Sequence, residues 1–262
     1  MHRFRLAVAT RCLDLPLRTA LRVAADCGAE GVQFDLREEL RPEALTESGR
    51  RDLRHLLDEL GLRVAGATFP LRRPLADDHE LDRRIAAIKQ AMNWSFALSA
   101  KVLTFRIGRL PAEEMSREAQ LLREILDDLA RHANHAGVLL AVTPGRENAG
   151  ELLRVLSPVQ SGPLGVDFDP AQFAMAGHDP IAALRTLHAL TYHVQLRDGL
   201  SDTDGGGETR LGQGTVPWLE ILATLGEMEY SGWLTAVRTQ GHDKAGDLRH
   251  AIALVQRLLL GG

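Results

Sequence analysis

Cysteine, lysine and long apolar runs are all scarce in this chain. Cys12 and Cys27 are its two cysteines, and no CxxC or Cys/His cluster accompanies them. So few thiols exclude a disulfide framework or a thiolate zinc site, and the expected compartment is a reducing cytoplasm. Lysine occurs only at 89, 101 and 244, so arginine supplies nearly all of the 31 basic side chains. Against 35 acidic side chains the net charge is −4, which gives bulk electrostatics nothing to offer a nucleic acid. No window reaches about 18 uninterrupted apolar residues, so no membrane span is expected. Met1-His2-Arg3-Phe4-Arg5-Leu6-Ala7-Val8-Ala9 runs straight into a strand pattern, without the apolar stretch and small-residue cleavage site of a secretory signal. A glycine-rich phosphate loop is also missing. The first candidate strand is followed by Ala9-Thr10-Arg11-Cys12-Leu13-Asp14, which argues against an open, doubly wound nucleotide-binding sheet.

What is present is regular alternation. The 262 residues are 45% hydrophobic and 25% charged, enough for one large core. Short apolar runs near 4–10, 31–35, 62–68, 101–106, 138–143, 164–169, 190–196 and 233–238 read as strands. Longer amphipathic runs near 16–28, 48–60, 79–99, 116–136, 148–156, 179–187, 216–228 and 243–259 read as helices. In the first, Leu17, Ala20, Leu21, Ala24 and Ala25 form a stripe at helical spacing. Helices stop at Gly28, Gly61 and Gly137, each before a new strand. Glycine suits the left-handed position after a helix, so these are αβ connections. Strands alternating with helices imply parallel pairing with the helices outside. Eight such units close into a (β/α)8 barrel, here a single domain over 1–262. The glycine-rich stretch 202–208 falls in a βα loop, either a surface turn or a mobile lid over the barrel mouth.

With the strands placed, several phrases resemble the xylose isomerase-like superfamily of sugar isomerases, sugar epimerases and endonuclease IV. They are Ala24-Ala25-Asp26-Cys27-Gly28-Ala29-Glu30-Gly31-Val32-Gln33, Leu57-Asp58-Glu59-Leu60-Gly61-Leu62-Arg63-Val64-Ala65-Gly66, Asp167-Phe168-Asp169-Pro170-Ala171-Gln172-Phe173, His193-Val194-Gln195-Leu196-Arg197-Asp198, Leu211-Gly212-Gln213-Gly214-Thr215-Val216-Pro217-Trp218 and Gly232-Trp233-Leu234. The resemblance runs the length of the chain. It implies a divalent Mn, Mg or Zn ion held by Glu at the Thr143 position, Asp169, His at the Gln172 position, His at the Gln195 position and Glu at the Arg238 position. Both glutamates would also exchange the substrate proton in the sugar epimerases of that family. This chain keeps Asp169 alone.

The replacements change the chemistry expected. Isomerisation beside a carbonyl needs a base and a stabiliser for the developing oxyanion. Thr143 is no base at neutral pH, and Arg238 sets a permanent positive charge where a cation would sit. We expect no metal or other cofactor, with Arg238 paired to Asp169 in the metal's place. One layer deeper, strand parity puts Ala141, Asp167, His193 and Ala236. Asp167 and His193 read either as a buried hydrogen-bonded pair or as an acid/base pair or displaced metal site. Arg11, Arg106, Arg197 and Arg238 fall at or just past strand ends, with Arg146 in a loop there. Converging guanidinium groups suit a carboxylate or phosphate, and pairing with Asp35, Asp169 and Asp198 is the plainer alternative. Glu147 follows Arg146, and His178 is read as a helix cap.

The expected function is a sugar isomerase/epimerase-like barrel binding a small polyhydroxylated or anionic ligand, such as a sugar, sugar acid or sugar phosphate. Asp169, His193 and Arg238 are its candidate catalytic residues. Arg11, Arg106, Thr143, Glu147, Gln172, Gln195 and Arg197 are its candidate ligand-binding residues. One alternative is an active metal-free isomerase, epimerase or lyase with an Arg electrophile and an Asp or His base. Another is a scaffold or regulatory subunit, and oligomeric state is left open. A DNA-repair nuclease would need a multi-metal, His-rich site and a basic surface.

Overall fold

The computed structural model describes residues 4–41, 46–201 and 206–260. Strands β1 (Arg5–Ala9), β2 (Gly31–Asp35), β3 (Arg63–Thr68), β4 (Val102–Phe105), β5 (Leu139–Val142), β6 (Leu164–Phe168), β7 (Thr191–Leu196) and β10 (Trp233–Ala236) close into a barrel. Every neighbouring pair is parallel, and β1 meets both β2 and β10. Helices α1 (Leu17–Asp26), α2 (Glu47–Glu59), α3 (Leu81–Ala97), α4 (Arg117–Ala136), α5 (Ala149–Leu156), α7 (Pro180–Leu187), α8 (Trp218–Glu227) and α9 (Lys244–Leu260) connect the strands and close the chain. Among the described residues, short elements are additional, including 3-10 turns at Thr10–Leu13 and His188–Leu190. Helix α6 (Pro170–Met175) follows β6, and strands β8 (Asp198–Leu200) and β9 (Gly207–Thr209) pair antiparallel outside the barrel. No helix of the described residues is long and apolar enough to cross a membrane.

Local chemistry sets the helix ends. Thr46, Ser116 and Asn148 accept backbone N–H groups at the starts of α2, α4 and α5, and Asn148 closes a capping box with Glu151. These contacts satisfy donors that a first helical turn leaves open. Gly28, Gly61 and Gly137 have φ of +80°, +65° and +71°, the left-handed geometry expected at the αβ connections. Asp179, not His178, caps α7 by accepting from the Ile181 amide, while His178 Nε2 meets the Arg146 carbonyl.

The core has two parts. Between sheet and helices, alternate strand residues such as Leu140, Val142, Val166, Phe168, Val194 and Leu196 pack against helix stripes. Inside the barrel, Trp233 fills the base against Ala7 and Ala65, with the Arg5 guanidinium 4.7 Å from its ring centroid. Gly31 makes room for it, since a Cβ there would come within 2.8 Å of the indole. Above this apolar floor the interior turns polar.

Candidate functional site

Strand parity brings Asp167, His193, Gln195 and Thr235 inward, and all four are buried. A register shift between Val166 and Asp167 sets Asp167 opposite His193. His193 Nδ1 lies 2.6 Å from Asp167 Oδ1 and donates to it, while Nε2 meets Thr235 Oγ1 at 2.7 Å. Thr143 Oγ1 donates to Asp167 Oδ2 at 2.6 Å, and the Gln195 amide nitrogen donates to the same oxygen. Burial pushes the Asp167 carboxyl up, but His193 and the three hydrogen bonds outweigh it and hold the group below its usual range. This layer is a saturated internal network, the plainer of the two readings of Asp167 and His193. At 0% exposure with both ring nitrogens engaged, His193 is not placed to touch a ligand. Thr235 rather than Ala236 completes the layer. Ala236 faces the helices, one residue out of the expected parity.

The layer above is ionic. Asp169 caps α6, and its Oδ1 accepts the Gln172 amide at 3.2 Å. Its Oδ2 is held by Arg197 Nη1. The expected Arg238–Asp169 pair is therefore not formed, because Arg197 reaches Asp169 first. β10 ends at Ala236, and Arg238 turns toward the β9 side of the mouth. There it meets Glu208 Oε1 at 3.2 Å and Asp247 Oδ2 at 2.9 Å. Arg197 Nη2 also reaches Glu208, at 2.9 Å. Charges thus alternate along Asp169, Arg197, Glu208, Arg238 and Asp247. Burial opposes the charge on Arg197, but Asp169 and Glu208 outweigh that and raise its pKa further.

Other predicted site residues scatter. Arg106 is exposed past β4 and Arg146 is exposed in the loop before α5. Glu147 bends back to accept the Gly145 amide at 2.7 Å. Gln172 lies on α6 behind Asp169. Arg11 is half-buried after β1, and its Nε is buried with no hydrogen-bond partner among the described residues. Among the described residues Asp35 and Asp198 pair with no arginine; backbone amides occupy them. Residues 202–205 of the glycine-rich stretch lie outside the described residues, while Gly207 and Glu208 belong to β9. Sequence reasoning missed Glu208. Its only signal was a lone carboxylate after three glycines, beside a mouth expected to be rich in arginine.

A divalent cation finds poor ligands here. The one carboxylate of the expected set is ion-paired, the Gln195 amide donates to Asp167, and two guanidinium groups stand at the mouth. Among the described residues no group of three or more His, Cys, Asp or Glu could hold a metal. A cavity of about 820 Å³ opens at the opposite, N-terminal end, lined by residues including Arg5, Arg63, Lys101, Tyr192 and Trp233. The C-terminal mouth remains the candidate site, because βα loops gather there.

Comparison with known proteins agrees with this architecture. Structural likeness covers almost all of the chain. A xylose isomerase domain protein from Planctomyces limnophilus is 25% identical, with 98% of this chain and 95% of that one covered and a TM-score of 0.82. D-psicose 3-epimerase from Clostridium cellulolyticum H10, solved with D-tagatose, is 13% identical over 98% and 99%, with a TM-score of 0.78. A xylose isomerase-like TIM-barrel protein from Mycobacterium smegmatis, solved in complex with magnesium, is 14% identical over 100% and 97%, with a TM-score of 0.76. Sequence comparison with curated proteins finds no match. The family model described as xylose isomerase-like TIM barrel matches residues 21–258, and the chain belongs to that family.

Proposed function

We propose that this protein is a sugar isomerase/epimerase-family barrel that binds a small polyhydroxylated, anionic ligand at its C-terminal mouth through arginine rather than through a divalent cation. The observation that carries this reading is the Arg197–Asp169 pair. It places a guanidinium against the one carboxylate kept from the family's expected ligand set. A cation there would meet the permanent charges of Arg197 and Arg238, worth about 4 kcal/mol per unit pair at 4 Å in an effective dielectric near 20. The same two groups favour a carboxylate or phosphate, which guanidinium matches with paired N–H donors. Sugar hydroxyls would find hydrogen-bonding partners in the polar groups of the same rim. The magnesium of the Mycobacterium smegmatis relative then has no counterpart in this chain. His193 and Asp167 are engaged with each other and with Thr143 below the mouth, which withdraws both from proton exchange with a ligand there. Ligand binding through the two arginines is the activity this reading assigns to the mouth.

Elemental analysis of protein purified without chelator tests the first half. We expect Mn, Mg, Co and Zn well below one per chain, whereas about one ion per chain would refute it. Calorimetric titration with D-fructose 6-phosphate and D-gluconate, with and without EDTA, tests the second. Heat should appear for the anionic sugars and be unchanged by EDTA. Binding that EDTA abolishes would restore the metal-dependent reading.

A further inference from the structure

Glu208 is held as a ligand would be held. It stands on β9, in a hairpin outside the barrel. Yet its carboxylate is only 2% exposed, at the barrel mouth. Oε1 accepts from Arg238 Nη1 at 3.2 Å, from the Thr239 amide at 2.7 Å and from the Gln240 amide at 3.4 Å. Oε2 accepts from Arg197 Nη2 at 2.9 Å and from the Thr239 hydroxyl. Two guanidinium groups, two backbone amides and a hydroxyl thus converge on one carboxylate from the residue just past β7 and the segment after β10. A single ion pair would need far less. One further donor, Arg197 Nε, is buried without a hydrogen-bond partner among the described residues.

We propose that this cradle is the carboxylate subsite of the mouth, and that Glu208 is its internal occupant, displaced when a ligand brings a carboxylate of its own. The ligand class is then a sugar acid. The inference deepens the proposed function and rests on it for the carbohydrate part of the ligand. Three observations favour exchange over a fixed structural role. The donors lie on the barrel rim, whereas the acceptor comes from a hairpin with three paired positions, and such a pair has marginal stability alone. The Glu208 side chain is only 2% exposed and fills the space between its donors, so a ligand reaches them only where Glu208 leaves. Asp169 and Asp247 keep their own pairings with Arg197 and Arg238, so the rim stays organised after Glu208 departs. The exchange swaps one carboxylate for another and leaves the net charge of the cradle unchanged, which lets a weakly solvated site open without an unpaired arginine.

The test compares the wild-type full chain with Glu208→Ala. Melting is followed in sodium acetate and in sodium chloride of equal ionic strength. The variant should melt lower than wild type in chloride and recover in acetate, while wild type responds equally to both salts. Titrated with D-gluconate, the variant should bind roughly tenfold or more tightly than wild type, having no internal competitor. Adding Arg238→Ala to Glu208→Ala should remove both effects. Acetate rescue without gluconate binding keeps the cradle and sinks the carbohydrate reading. Gluconate bound equally by both chains keeps the carbohydrate reading and overturns the exchange. An acetate effect no larger than that of chloride overturns the cradle itself. Should Glu208→Ala not fold, Glu208→Gln preserves the shape and is expected to gain gluconate affinity in the same direction.

Discussion

Asp167 is the residue on which the barrel interior depends. It is fully buried, and three side chains aim hydrogens at it: His193 at one oxygen, Thr143 and Gln195 at the other. Replacing it with asparagine leaves one acceptor and turns an NH2 group toward donors. Asp167→Asn should lose about 3–5 kcal/mol, the usual cost of removing one partner of a buried pair. Thr143→Val deletes one hydrogen bond to the charged carboxylate and should lose about 1.5–3 kcal/mol. Urea denaturation of the two variants checks both figures, and equal losses would mean that Asp167 is not ionised. Much of this layer was legible beforehand, because period-two alternation put Asp167, His193, Thr143 and Gln195 on one face. The same rule failed at β10. The strand expected over 233–238 ends at Ala236, so Arg238 lies beyond it and is not one of its inward residues. Pairing partners were less legible still. Sequence spacing does not say whether Arg197 or Arg238 reaches Asp169, since that depends on side-chain direction at strand ends.

Among the elements, the long ones were readable and the short ones were not. Each barrel strand and connecting helix carries at least two periods of its pattern, and glycine marks three of the joints. α6 has six residues and β8 and β9 three each, too few for periodicity to register. α6 did carry one cue, the Asp169-Pro170 pair of a capped first turn. The hairpin is organised by Asp198 instead. Its Oδ1 accepts from the Gly199 and Val216 amides and its Oδ2 from the Gly212 amide. This carboxylate staples the start of β8 to the segment leading into α8, which fixes where β9 presents Glu208. Gly214 lies against it so closely that a Cβ would fall 2.1 Å from Asp198 Oδ1 and 2.6 Å from the Gly199 nitrogen. Gly214→Ala must therefore push the segment off the carboxylate, at a cost of about 1–3 kcal/mol. Hydrogen exchange at the Gly212 and Val216 amides should accelerate with it. Unchanged protection at both amides would show that the Asp198 staple does not hold this element.

At the scale of the molecule, the mouth and the layer beneath it make folding sensitive to acid. Burial alone would raise the Glu208 carboxyl, but the Thr239 hydrogen bonds and Arg197 outweigh it and lower its pKa. Asp167 is lowered by the same balance. A group depressed in the folded state binds more protons when unfolded, so stability rises with pH. Its contribution is complete above the unfolded pKa, near 4 for these groups, and disappears as pH falls through the folded value. Glu39 works the other way. Burial raises it despite hydrogen bonds from Thr10 and the Asp35 amide, so its contribution is held below the unfolded pKa and lost as pH rises through the folded one. Among these three carboxyls, two depressed against one raised predict net destabilisation below about pH 4, and Glu38 and Asp77 at the surface, also lowered by their arginines and a backbone amide, act in the same direction. Glu208→Gln removes one of the two buried depressed groups. Plotted from pH 3 to 7, its urea midpoint should therefore fall less steeply on the acid side than that of wild type, while both curves flatten near neutrality. Parallel curves would mean that Glu208 titrates alike in the folded and unfolded chains, in which case the two arginines and the Thr239 amide confer no preference for its charged form.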